Sequence, residues 1–271
     1  AVIFIPADTS PQEVRDCLKR NIPAKSSVQT VHFKAVDRIG GEREFRAKML
    51  GMRLADGLRR AKLCITQPPD MRGSEMLSVE TPDGAPDSFL FTPELRKVKR
   101  ITGEGMGGSV FGTDFTYEDL QRWQQLNRPE SHERLPDAEL DGRPVYVMET
   151  RPKEGTSSSY TKVVSYVDKQ SCVVIKSESF ENGDRLRKLL LAKTDDMLED
   201  HGIHAPAEVV MKDVRDETQT TVVVEELAVD GVKLHTGDKH LMRIRVLAAN
   251  VRARVRIADF ERASHAFVNG V

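Results

Sequence analysis

The chain has 271 residues, 41 Lys and Arg against 42 Asp and Glu, and a net charge of −1. That balance argues against a nucleic-acid binder, which usually shows a basic excess, and no apolar run approaches the ~18 residues of a membrane-spanning helix. Cys17, Cys64 and Cys172 form neither a C-x-x-C pair nor a zinc spacing; they suit small buried residues, or a Cys64–Cys172 disulfide in an oxidising compartment.

The opening AVIFIPADTS has no basic n-region and no long apolar h-region, so no signal peptide is visible. Ser10-Pro11-Gln12-Glu13 predicts a helix start, with Ser10 as cap, Pro11 at the first helical position and Glu13 reaching back. Val14, Cys17, Leu18 and Ile22 share one helical face, and Pro23 should end the helix. Strands then follow. Residues 28–36 form the first. Residues 43–54 form the second, where the apolar register shifts at Gly51 and predicts a bulge there. Further strands are predicted over 60–67, 75–79, a short segment around Phe89 and Phe91, and 98–101. Residues 122–139 read as a polar loop. Strands resume at 144–149, 160–167, 172–180, 186–192, 208–213 and 220–226, with Asn182-Gly183 as a hairpin turn. Many strands, few helices and short hairpin turns predict an α+β protein built on one extended antiparallel sheet, curved or partly closed, with one or two helices packed on it.

One stretch looks like chemistry. Residues 103–120 read GEGMGGSVFGTDFTYEDL, and the first eight fit G-x-G-x-x-G-x-V, a phosphate-loop pattern. Such a loop needs a βαβ unit, or the V-A-I-K, H-R-D and D-F-G motifs of a kinase, and the sequence supplies neither. Thr116-Tyr117-Glu118-Asp119 instead fits a T-x-x-D helix cap, and Asp114 can bond its own turn. There is no G-x-S-x-G, and His201 with His204 lacks a third ligand nearby, so neither a nucleophile nor a metal site is predicted. Arg96–Arg100 reads as a solvated strand face, with a docking patch for an acidic partner as the alternative.

Several segments together resemble the LolA-like outer-membrane lipoprotein-sorting family, in the subgroup associated with resistance-nodulation-division (RND) type lipid exporters. They are Asn21-Ile22-Pro23, Pro69-Asp70-Met71-Arg72-Gly73, RKVKRI at 96–101, VFGTDFTYEDL at 110–120, YVMETRPK at 146–153, Tyr160-Thr161-Lys162 and Val167-Asp168-Lys169. The resemblance implies a periplasmic, non-enzymatic protein without a cofactor. It implies a half-open β-barrel whose concave face, lidded by helices, shelters a lipid or the acyl chains of a lipoprotein. An inner-membrane exporter of the RND or ABC type would be the partner, with neither nucleic acid nor a membrane span involved. A sensor or accessory subunit regulating a membrane partner is the alternative. Residues 1–245 would form the carrier domain, and 246–271 a basic extension, either an extra edge strand or a poorly ordered tail. The expected cavity lining is Phe45, Met49, Leu63, Ile65, Leu77, Val79, Phe89 and Phe91, then Val145, Val147, Val173 and Ile175, with Phe111 and Phe115 as apolar anchors. Alternation alone does not separate a lined cavity from a filled core.

Overall fold

Three consecutive β-branched residues, Val222, Val223 and Val224, suit a strand with neighbours on both sides, and they lie in the last strand of the sheet, between the first strand and the one before it in sequence. A computed structural model describes residues 10–54, 56–82 and 84–230. A helix, α1 (Pro11–Lys19), leads into β1 (Ser26–Val36), β2 (Glu42–Arg53), β3 (Arg59–Gln67), β4 (Glu75–Val79), β5 (Asp87–Thr92) and β6 (Lys97–Ile101). A 3-10 turn (Gly103–Gly107) and α2 (Tyr117–Trp123) cross to β7 (Glu130–Leu140) and β8 (Arg143–Pro152). Then come β9 (Lys162–Asp168), β10 (Val174–Glu181) and β11 (Arg185–Ala192), the small hairpin β12 (Met197–Asp200) and β13 (Ile203–Pro206), and finally β14 (Glu208–Asp213) and β15 (Thr218–Val229).

Thirteen of these strands make one curved, open antiparallel sheet in the order β6-β5-β4-β3-β2-β1-β15-β14-β11-β10-β9-β8-β7. Neighbours in sequence pair as hairpins, so the sheet is two meanders joined where β1 meets β15. Asp230 fastens that seam: its carboxylate accepts the amides of Ala24, Lys25 and Ser26 at 3.1, 2.7 and 2.8 Å. Both helices lie over one face of the sheet. On it, Phe45 of β2 faces Phe33 of β1, which faces Val222 of β15.

The structure corrects several local expectations. Ser10 is the N-cap of α1 and Pro11 opens it, but the Ser10 side chain makes no capping bond. Gly51 pairs in register with Ser27 and Ala61, and the irregularity in β2 falls between Arg46 and Ala47 instead. Leu50 and Met52 are buried because the other face is also covered there, with Val28 and Leu54 packed on them. Residues 130–140, expected as loop, are the edge strand β7. An edge strand has one neighbour and much exposed surface, so its sequence need not alternate cleanly. The expected extension at 246–271 lies outside the described residues.

Candidate functional site

The segment that resembles a phosphate loop is a wedge packed on the sheet. Met106, Val110, Phe115, Tyr117 and Leu120 join Val31, Phe33, Phe45, Ala47, Met49, Leu63 and Ile65 in one core. Phe115 meets Phe33 edge-on at 6.1 Å and Trp123 at 5.2 Å between ring centroids. Thr116 and Asp119 form the predicted reciprocal cap on α2. Asp114 does not serve its own turn. Its carboxylate accepts from Thr218 and Thr220 of β15, and its amide donates to Thr220.

The acids of α2 do more than cap. Glu118 is fully buried; it accepts from Ser158 Oγ (2.6 Å) and the Ser159 amide (2.9 Å), and pairs with Arg122 (2.9 Å) and Arg128 (3.3 Å). Asp119 accepts from Tyr160 Oη at 2.8 Å and pairs with Lys188 of β11 at 3.2 Å. Burial, reinforced by Asp119, pushes the Tyr160 phenol well above its usual value, so it stays a donor. These buried pairs fix α2 to β11 and to the segment that leads into β9. The sequence showed the acids but not their distant partners.

The other helix is held differently. Cys17 of α1 is bonded to Cys172 beside the β9–β10 turn, across 155 residues of sequence. This overturns the Cys64–Cys172 pairing. Cys64 is a buried free thiol on β3, pushed up to about 12 by burial and then by Glu75. Val14 and Leu18 of α1 pack on Met148, Val167 and Val174.

Between α1, α2 and the sheet lies a cavity of about 330 Å³. Its apolar wall includes Trp123, Met148, Val163, Leu190, Val209 and Met211. Small polar residues open the space: Ser27, Thr150, Ser165, Ser177 and Ser179 point to the same face from β1, β8, β9 and β10. The cations Arg15, Lys19, Arg59, Arg122 and Arg128 border it, with Asp119 and Glu130 the only acids to do so among the described residues. His132 is there too. Burial, then Arg15, with Arg122 and Lys153 acting the same way, depresses its imidazole below the usual value against the pull of Glu130.

Register redistributes the expected lining. Phe45, Met49, Leu63, Ile65 and Phe115 are core residues beneath α2, and Phe111 packs against that core. Leu63 pairs with Met76, so β4 presents even-numbered residues where β3 presents odd ones. Leu77, Val79 and Phe89 therefore cluster on the opposite face, which Phe91 shares. Val145, Val147, Val173 and Ile175 form a third cluster. Of all these, only Val173 borders the cavity described above, and the expectation of one lined face is corrected. The missed signal was the inward serines, since a void needs short side chains on one face.

Comparison with known proteins follows the geometry. A family model described as "Uncharacterized protein" matches residues 57–233, more than half of the chain. No curated protein matches. Three solved structures share the fold. A domain from Vibrio parahaemolyticus assigned to outer-membrane lipoprotein sorting is 21% identical, with TM-score 0.73 and 84% of this chain and 94% of that one covered. A DUF1329 family protein from Desulfovibrio piger is 19% identical, with TM-score 0.73 and coverage of 83% and 95%. A LolA superfamily protein from Nitrosomonas europaea is 16% identical, with TM-score 0.64 and coverage of 83% and 95%.

Proposed function

Because the chain belongs to the family matched over residues 57–233 and has the LolA-type fold, we propose that it is a periplasmic carrier that shelters a lipid or the acyl chains of a lipoprotein on the way to the outer membrane. The observation that carries this reading is the cavity of about 330 Å³ between α1, α2 and the sheet, walled by Trp123, Met148, Leu190 and Met211. Each ligand methylene buried there contributes about 0.8 kcal/mol, so a chain of moderate length needs no catalytic group to be held. The volume stands at the low end of the ~300–1,000 Å³ typical of ligand pockets. It suits one acyl chain better than several at once.

The Cys17–Cys172 disulfide supports an oxidising compartment such as the periplasm. In this reading the protein is not an enzyme, and an inner-membrane exporter of the RND or ABC type hands it the cargo. The test is gentle purification from cell envelope followed by mass spectrometry of copurified lipid, with titration of fluorescent fatty acyl probes. Reproducible lipid and saturable probe binding are expected. Absence of both would overturn the carrier reading.

A further inference from the structure

One buried cation on the cavity wall has no ion pair among the described residues. Arg59, at the start of β3, is only 7% exposed and borders the cavity. Its guanidinium donates to the Gln125 carbonyl at 2.9 Å, at the end of the α2 segment, and no carboxylate stands within ion-pair distance of it among the described residues. The nearby acid is Glu80, whose two oxygens are already engaged by the Arg59 amide (2.7 Å) and the Asn127 amide (2.8 Å). The other buried cations around α2 are paired: Arg122 and Arg128 with Glu118 and Glu130, and Lys188 with Asp119. A buried charge without an ion pair of its own is costly, which makes Arg59 the exception among these buried cations.

Its surroundings along the same face are polar and roomy. Ser27, Gln29, Gln124 and Gln125 border the cavity with it. Gly51 sits among them, and a Cβ there would come within 3.0 Å of Ser27 Oγ and 3.8 Å of Gln124 Oε1. The Gln29 Oε1 is buried and has no hydrogen-bond partner. Beyond this polar end the wall is Leu126, Trp123, Met211 and Leu190. The cavity thus has the buried Arg59 and its polar neighbours at one end, and along its length an apolar wall of Trp123, Met211 and Leu190 stands beside the small residues Ser165, Ser177 and Ser179.

We propose that the cavity takes a single-chain amphiphile with an anionic head, a carboxylate or phosphate monoester, and that Arg59 binds that head while the chain lies along the Trp123–Leu190 wall. The proposal rests on the carrier reading and narrows its cargo. A guanidinium presents a planar fork of donors to either anion, and the Ser27 hydroxyl can add a further donor to the shell. A diacyl or triacyl cargo without a free anion at that end gains nothing from Arg59.

The test compares myristate, myristyl phosphate and uncharged myristyl alcohol by displacement of a fluorescent acyl probe, on wild type, Arg59→Gln, Arg59→Lys and, as a control on the exposed surface of β6 away from the cavity, Arg100→Gln, with thermal midpoints measured in parallel. In wild type the two anions should bind at least about tenfold tighter than the alcohol, the effect of one charge-assisted contact. Arg59→Gln should erase that preference and leave alcohol affinity unchanged. Arg59→Lys should keep part of it, and Arg100→Gln all of it. A carboxylate that outcompetes the phosphate, or the reverse, names the head. An unaltered anion preference in Arg59→Gln, its loss in Arg100→Gln, or an equal loss of all three ligands in Arg59→Gln would overturn the assignment. If Arg59→Gln does not fold, the wild-type preference and its retention in Arg59→Lys decide, and their absence overturns it. If no amphiphile binds to wild type, the carrier reading itself fails.

Discussion

The two helices cover the same face of one sheet with opposite results. Under α2 the strands present Phe33, Phe45, Met49 and Leu63, and the wedge answers with Phe115, Leu120 and Met106, so the space is filled. Beside α1 the strands present Thr150, Ser165, Ser177 and Ser179, and a cavity is left. α2 is fixed by many buried noncovalent partners, whereas α1 is fixed by Val14, Leu18 and one covalent bond. The contrast is set by side-chain size on the inward positions, since strand geometry is common to both. One half is a clamp and the other a container, and each can be tested against the other.

The largest effect should come from the container's single bond. Removing the disulfide as Cys17→Ser with Cys172→Ser should cost up to about 5 kcal/mol, the loop-closure value for so long a span, read as a drop in urea midpoint. If stability is unchanged, α1 is held by packing and the contrast fails. Next, Phe115→Ala in the clamp should cost about 3–5 kcal/mol, because the side chain is fully buried between Phe33 and Trp123. A loss under about 1 kcal/mol would mean that this half is also loosely filled. In the container, Ser177→Leu should change stability by less than about 1 kcal/mol, since it grows into open space, yet weaken acyl-probe binding at least about tenfold. Equal effects on both measurements would show a core position.

The smallest effect is a slope. The folded protein disfavours protonated His132, so its folded pKa lies below the usual imidazole value of about 6.5. As pH falls through the unfolded value, the unfolded chain binds a proton that the folded one resists, and stability drops until the folded value is passed. Urea midpoints from about pH 7.5 to about pH 5 should fall, and His132→Gln should flatten part of that fall. An identical slope in the variant would show that burial and Arg15 do not depress His132 enough to matter for stability.

Strands were most legible in the sequence where one face was buried, because alternation then leaves a period of two; Phe45, Ala47 and Met49 of β2, and β14, are examples. The edge strand β7 escaped because a register shift between Leu135 and Ala138 breaks that pattern. The cap at Thr116 and Asp119 was legible, being local, but the long reach of Asp114 to Thr220 and of Asp119 to Tyr160 was not. Parity within a strand was readable and parity between strands was not. The β3–β4 pairing decides whether Leu77 joins Leu63, and it places them on opposite faces. The disulfide partner of Cys172 likewise depended on where a helix lands, which no spacing encodes. The search for apolar residues found the core, whereas the cavity was marked by the small ones.

The seam between β1 and β15 has a consequence for a chain that is still being made. Among the described residues β15 is the last strand of the sheet to leave the ribosome, yet it is the strand that joins the two meanders. The cavity draws Gln29 from one meander and Met148 from the other, so a growing chain has no container before β15 inserts. A chain cut short before Thr218 would be two separate sheets, each with a raw edge at the missing seam and neither able to hold cargo. The topology thereby ties loading to completion: only a finished molecule has an inside.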